Sequence, residues 1–152
     1  MKSGSLTEEE IHRRIVSDAP DAIVFADAEG RIRLWNAGAE AIFGYSANEA
    51  LGQSLDLIVP EKQRARHWEG YRRVMKTGVS RYGARDRLSV PALRKDGSRL
   101  SIEFTIVLVR GGDEKPVGIA AILRDVTESW NRERELQARI RELEAKGTVG
   151  HA

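Results

Sequence analysis

The sequence predicts an α+β domain: one five-stranded antiparallel sheet with short helices over one face, flanked by amphipathic helices at both ends. Three observations carry this. The apolar period changes after Gly78, from short strands mixed with helical turns to strand-like alternation. The alternation is clearest from Arg99 to Arg110. There Leu100, Ile102, Phe104, Ile106 and Leu108 point one way and Ser101, Glu103 and Thr105 the other, as in a strand with one buried and one wet face. The element order completes the case: two strands, a helical crossover and an antiparallel meander close a single sheet. A sheet covered in this way tends to enclose a cavity against its helices, the default place for a ligand.

Each element has a local cause. Residues 1–5 form a polar tail. Thr7 with Glu10 fits a capping box and Leu6 with Ile11 a hydrophobic staple, opening a helix over Glu8–Ser17 that buries Ile11, Ile15 and Val16 before Pro20. Ile23–Ala26 reads as a strand, Asp27-Ala28-Glu29-Gly30 as a turn, and Arg31–Trp35 as the return strand. Asn36 is a natural N-cap for a helix Ala37–Phe43 that buries Ala39, Ile42 and Phe43 and stops at Gly44. Ser46 and Glu49 form a second capping box, for one helical turn ending at Gly52. Leu55–Val59 leads into Pro60, expected as the first residue of a helix that Gly78 closes. Arg85–Leu93 and Arg99–Arg110 read as strands about the tight turn Lys95-Asp96-Gly97-Ser98, and Val117–Asp125 as the last strand. A polar helix then runs from Thr127 to Ala145, with Leu136, Ile140 and Leu143 at coiled-coil spacing, before a frayed end at 147–152.

Composition bounds the function. With 152 residues the chain has room for one domain with a core and tails; 41% hydrophobic and 32% charged content are those of a globular protein. A net charge of +2 gives no broad attraction to nucleic acid. The absence of cysteine excludes disulfides, thiolate metal sites, a thiol nucleophile and a cysteinyl chromophore adduct. No apolar run approaches the roughly 20 residues that span a bilayer, and MKSGSLTEEE is too polar for a signal peptide. The expectation is a cytoplasmic protein with no membrane and no nucleic-acid partner. It is also not expected to be an enzyme. His12 and His151 sit in terminal segments, no serine has an evident histidine–acid partnership, and no glycine-rich phosphate loop is present. The Asp21/Asp27 and Glu40/Glu49 carboxylates are spaced as caps and turns rather than as an acid–base pair.

The candidate site is the stretch Val59–Arg87. A helical reading puts His67, Tyr71 and Val74 on one face and Trp68, Tyr71 and Met75 beside it, with Arg64, Arg66, Arg72, Arg73 and Lys76 elsewhere. An imidazole so placed is either a ligand to a metal cofactor or a hydrogen-bonded core or rim residue.

Ordered blocks give the chain a resemblance. They are Asp21-Ala22-Ile23, Asp27-Ala28-Glu29-Gly30-Arg31-Ile32, Trp35-Asn36-Ala37 through Phe43-Gly44-Tyr45, Glu49-Ala50-Leu51-Gly52, Arg94-Lys95-Asp96-Gly97-Ser98 and Asp125-Val126-Thr127-Glu128. Together they resemble the PAS sensory domain family, which implies a tail and flanking helix over 1–18, a PAS domain over 19–127 and a signalling helix with its tail over 128–152. Within the family, Leu51-Gly52, Val59-Pro60-Glu61, His67, Gly70-Tyr71 and Thr77-Gly78 resemble the FixL-type haem oxygen sensors. That resemblance implies haem b with His67 as axial ligand to the iron, Arg87 on the next strand as the contact to bound oxygen, and Phe104, Ile106 and Tyr71 on the cofactor. Two features depart from the pattern: the hairpin after Arg87 is longer, and Phe104 is bulkier than the aliphatic residue those sensors carry. His67-Trp68-Glu69-Gly70 with the Val90–Gly97 hairpin also resembles PAS domains with no known haem. The alternatives are therefore a sensor of haem or another small ligand, and a cofactor-free dimerisation and signal-relay module with its pocket filled by Phe104, Phe25, Trp68 and leucines. Either way the expected partners are a second copy, paired through the flanking helices as a homodimer, and a downstream signalling effector.

Overall fold

The computed structural model describes residues 4–81, 83 and 85–149. Its elements are α1 (Glu8–Asp18), β1 (Ala22–Asp27), β2 (Ile32–Trp35), α2 (Ala37–Phe43), α3 (Ala47–Ala50), a 3-10 turn at Leu55–Leu57, α4 (Glu61–Thr77), β3 (Leu88–Leu93), β4 (Arg99–Arg110), β5 (Pro116–Asp125) and α5 (Thr127–Val149). The five strands form one sheet in the order β2-β1-β5-β4-β3, antiparallel throughout. The first two strands and the last three are thus joined by the helical crossover that the sequence implies. Among the described residues no helix is long and apolar enough to cross a membrane.

Register fixes the two faces. Val24 lies opposite Ala121, Phe104 opposite Leu123, and Ile102 opposite Val90, so the even-numbered residues of β1 and β4 share the inner face. There Ala22, Val24, Leu100, Ile102 and Leu123 pack under Ala39, Phe43, Ala50 and Ile58 from the crossover. The outer face carries Ile23, Phe25, Glu103, Thr105, Val107 and Ile122. Phe25 therefore lies outside, against Gly118, and does not fill the pocket.

Asn36 ties this end of the domain together. Its side-chain oxygen accepts from Ala39 N at 2.9 Å and Ile23 N at 2.8 Å, while its amide donates to the carbonyls of Val16, Ala19 and Asp21. One buried polar group thus caps α2, registers β1 and holds the end of α1, with its hydrogen-bonding capacity used. Gly38 follows because a Cβ there would stand 2.1 Å from Asp21 O.

Several expectations are corrected. α1 forms with its capping box but buries no residue: Ile11 is 43% and Ile15 61% exposed. The helix is held at its C-terminal end by Asn36 and lies off the sheet. Pro60 is the N-cap of α4 rather than its first residue. β3 begins at Leu88 instead of Arg85, because Asp86 closes a turn on Gly83, its carboxylate accepting from Gly83 N and its own N–H donating to Gly83 O. The last helix continues to Val149. Residues 1–3 of the tail and 150–152 of the frayed end, with His151, lie outside the described residues.

Candidate ligand-binding site

Helix α4 crosses the inner side of the sheet and is pinned at four places. Near its start, Arg64 donates to Val59 O at 3.0 Å and Asp56 O at 3.3 Å. Trp68 Nε1 donates to the Asp56 carboxylate at 2.7 Å while its ring lies over Gly30, where a Cβ would stand 2.2 Å from it. Tyr71, the buried residue of the helix, donates its hydroxyl towards Asp27 O at 2.6 Å and Ala26 O at 3.1 Å on β1. Past its end, Arg110 at the end of β4 donates to Gly78 O at 2.6 Å. Gly78 itself adopts φ +71°, the left-handed closure that favours glycine.

Gln63, His67 and Tyr71 recur every fourth residue and share the face that Tyr71 turns towards the sheet. His67 Nδ1 and Gln63 Oε1 are both buried and have no hydrogen-bond partner. The imidazole stands edge-on to Trp68, centroids 4.7 Å apart at 75°, and tilted to Tyr71 at 5.9 Å and 41°. Burial pushes its pKa below the ordinary 6.5, opposed by the charge of Asp56, so the ring is neutral at pH 7 and can act as an acceptor. Burial pushes the Tyr71 phenol well above its ordinary range, which keeps it a donor.

The inner face of the sheet is incompletely covered along β3 and β4. Phe104, Ile106 and Leu108 are half-buried, and Val90 beside them is 40% exposed. The domain thus carries a polar strip with unmet hydrogen-bonding capacity on α4 and a half-open apolar stretch on the inner face of β4. That combination suits a mostly apolar ligand fixed by one or two polar contacts. Among the described residues no cluster of three or more His, Asp or Glu could hold a free metal ion.

Four of the five expected site residues are brought to this side of the sheet: His67 and Tyr71 from the helix, Phe104 and Ile106 from β4. Arg87 is not. Leu88 pairs with Phe104 on the inner face, so Arg87 before it is turned outwards, where it meets Glu103 at 3.5 Å and is 75% exposed. A one-residue displacement along a strand reverses the face of every side chain, and β3 is in the register that turns Arg87 outwards. Arg87, Glu103, Arg124 and Asp21 instead line a cleft of about 130 Å³ on the outer face. A second cleft, about 480 Å³, lies between the end of α2 and the β3–β4 turn.

Sequence reasoning overlooked Gln63, although its spacing from His67 and Tyr71 was the available signal. It also overlooked the Asp56–Trp68–Gly30 packing, which joins segments far apart in the chain and left no local pattern.

Comparison with known proteins places the chain. The family profile described as PAS fold matches residues 16–130. The sensor protein FixL of Bradyrhizobium diazoefficiens is 32% identical over 144 residues, covering 94% of this chain and 27% of that protein. The cell-division control histidine kinase PdhS of Brucella ovis is 29% identical over 132 residues, covering 87% of this chain and 12% of that one. The chain thus spans about a quarter or less of the curated relatives it matches. Among solved structures, the PAS domain of a protein from Colwellia psychrerythraea superposes with a TM-score of 0.70 at 25% identity, covering 80% of this chain and 99% of that one. A sensory box histidine kinase/response regulator from Burkholderia thailandensis shares the fold, with a TM-score of 0.61 at 17% identity, covering 90% and 99%.

Proposed function

This chain belongs to the PAS fold family and is related to sensor histidine kinases, and on that premise we propose that it senses a small ligand beneath α4 and relays the event through α5 to a downstream signalling effector. The observation that carries this is the pair of buried, unpartnered atoms on one face of α4, Gln63 Oε1 and His67 Nδ1. Buried polar atoms without partners are rare and costly in a finished core, and a ligand supplies what they lack.

Haem b is the specific candidate. The axial position fits: burial keeps His67 neutral and aromatic neighbours orient its ring. The distal position does not fit, since Arg87 faces away and is paired with Glu103. His67 would hold the iron, and Phe104, Ile106 and Tyr71 would line the macrocycle. Haem held by a single histidine supplies an iron with an open position for a small ligand. Without Arg87 above it, that ligand lacks the charge-assisted hydrogen bond that favours oxygen. Titrating the protein with haemin tests the candidate: a Soret band that saturates at one haem per chain and is lost in His67→Ala supports it. Equal uptake by both proteins, or by neither, removes it.

The route out of the sheet is short. Arg94, on the turn after β3, donates to Asp125 Oδ2 at 3.0 Å, and Asp125 Oδ1 accepts from Thr127 N at 3.0 Å and Thr127 Oγ1 at 2.6 Å. Ser101 on β4 closes the ring, donating to Thr127 Oγ1 and accepting from Val126 N. A ligand that moves β3 and β4 therefore pulls on the first turn of α5. The receiver of that movement is a second copy, in a homodimer built from the flanking helices. Leu136, Ile140 and Leu143 of α5 are 55%, 53% and 63% exposed, and Ile11 and Ile15 of α1 are open as well. Light scattering on the full chain and on one lacking residues 129–152 tests this: a dimer that becomes a monomer is expected, and a truncated chain that stays dimeric overturns it.

A further inference from the structure

We propose that Gln63 is the positioning residue of the α4 site: its side-chain carbonyl keeps the His67 proton on Nδ1 and so presents Nε2 as the free base to the ligand. The proposal rests on the ligand-binding reading above and adds which nitrogen the ligand meets and what fixes it.

A neutral imidazole carries its proton on one nitrogen and a lone pair on the other, so its tautomer is set by what each nitrogen meets. Gln63 Oε1 can only accept, and it is buried with no donor. The neighbouring rings of α4 offer none. Trp68 Nε1 donates to the Asp56 carboxylate at 2.7 Å, and the Tyr71 hydroxyl is turned to the carbonyls of Asp27 and Ala26. Among these rings the uncommitted donor is therefore the N–H of His67. With the proton on Nδ1, a single hydrogen bond answers both unpartnered atoms. With the proton on Nε2, two acceptors stay buried without a donor, the costlier arrangement.

The helix brings the two residues within reach. Side chains four apart stand on one face with Cβ atoms about 5–6 Å apart, and they lean towards the N-terminus. That lean tips the imidazole over the turn that carries Gln63. The bond itself is open in this structure, since neither atom has a partner. Nε2 is not among the enclosed atoms, so the half-buried ring has one sealed nitrogen and one at its open edge. A ligand centre that takes the Nε2 lone pair draws charge from the ring and makes Nδ1–H a stronger donor. Binding thus closes the bond to Gln63, and the closed bond raises the basicity of Nε2 in return.

Long-range proton–nitrogen NMR of the isotopically labelled full chain reads the tautomer directly at about pH 8, where histidines are neutral. His12 is the reference in the same spectrum: it is exposed on α1 with Nε2 towards Glu8 at 3.9 Å, and its proton is expected there. His67 is expected to carry its proton on Nδ1 in wild type and to move it to Nε2 in Gln63→Leu. Gln63→Glu, which keeps the shape and an acceptor, is expected to leave Nδ1 protonated, and it decides the matter if the leucine variant fails to fold. Haemin binding by Gln63→Leu is expected to be about tenfold to a hundredfold weaker than by wild type. A proton on Nε2 in wild type, the same tautomer in wild type and Gln63→Leu, or an unprotonated Nδ1 in Gln63→Glu overturns the proposal. Equal haemin affinity in wild type and Gln63→Leu overturns the delivery of Nε2. If no protein takes up haemin while the tautomer still follows Gln63, the haem candidate falls and the positioning role of Gln63 stands.

Discussion

His67 is a half-buried base whose Nδ1 has no partner, and its protonation is linked to folding. Its pKa lies below the ordinary 6.5 in the folded chain, so the unfolded chain binds the proton more readily. The contribution of the neutral ring is complete above pH 6.5 and is lost as the pH falls through that value towards the folded pKa. Urea unfolding of the ligand-free protein between about pH 7.5 and about pH 5 should show wild type losing stability faster than His67→Leu. Parallel curves would show that the ring is not held neutral by burial. Two neighbours make sharper demands. Tyr71→Phe removes the hydroxyl that bonds the Ala26 and Asp27 carbonyls, while Asp27 O keeps the Gly30 N–H, at an expected cost of about 0.5–1.5 kcal/mol. Gly30→Ala meets both a left-handed backbone, φ +80°, and the Trp68 ring 2.2 Å from the new Cβ. Together these should cost roughly 2–5 kcal/mol, read as a lower urea midpoint.

At the scale of elements, the junction of β5 and α5 is the place where sheet and output helix share hydrogen bonds. Asp125 has its pKa lowered although burial raises it, because Thr127 and Arg94 bond to the carboxylate. Asp125→Ala removes both partners at once and should cost about 1–2 kcal/mol. The local effect is more telling: amide exchange in the first turn of α5 should accelerate, and Arg94→Ala should reproduce part of it. Exchange that is unchanged in both variants would detach the helix from the sheet. How legible the elements were follows from how local their causes are. The capping boxes at Thr7 and Ser46, the Asn36 cap and the left-handed closures at Gly44 and Gly78 each depend on a few adjacent residues, and each could be read from the chain. The alternation of β4 was equally plain. The burial of α1 was not, because amphipathic spacing says that a face exists and not what covers it. Nor was the facing of Arg87, which depends on where β3 begins its pairing with β4 rather than on any residue near Arg87. His67 was visible as a histidine on an apolar face. That its Nδ1 would be left without a partner depends on the packing of the whole helix.

At the scale of the molecule, the domain is asymmetric in how it is finished. The inner face under α2 and α3 is sealed by Phe43, Ala50 and Ile58, while β4 keeps partly open apolar residues and α4 keeps unpartnered polar atoms. The outer face, the α1 stripe and the α5 stripe are exposed on the single chain, which fits a unit whose output is read by a second copy. The central claim is that α4 closes over a ligand held at His67. The most direct measurement is native mass spectrometry of the full chain beside its His67→Ala variant, each as purified and after incubation with haemin. The account predicts a non-covalent adduct of one small molecule or one haem per chain in wild type, absent from a variant that remains folded. The same adduct pattern on both proteins, or no adduct on either, under both conditions would contradict it.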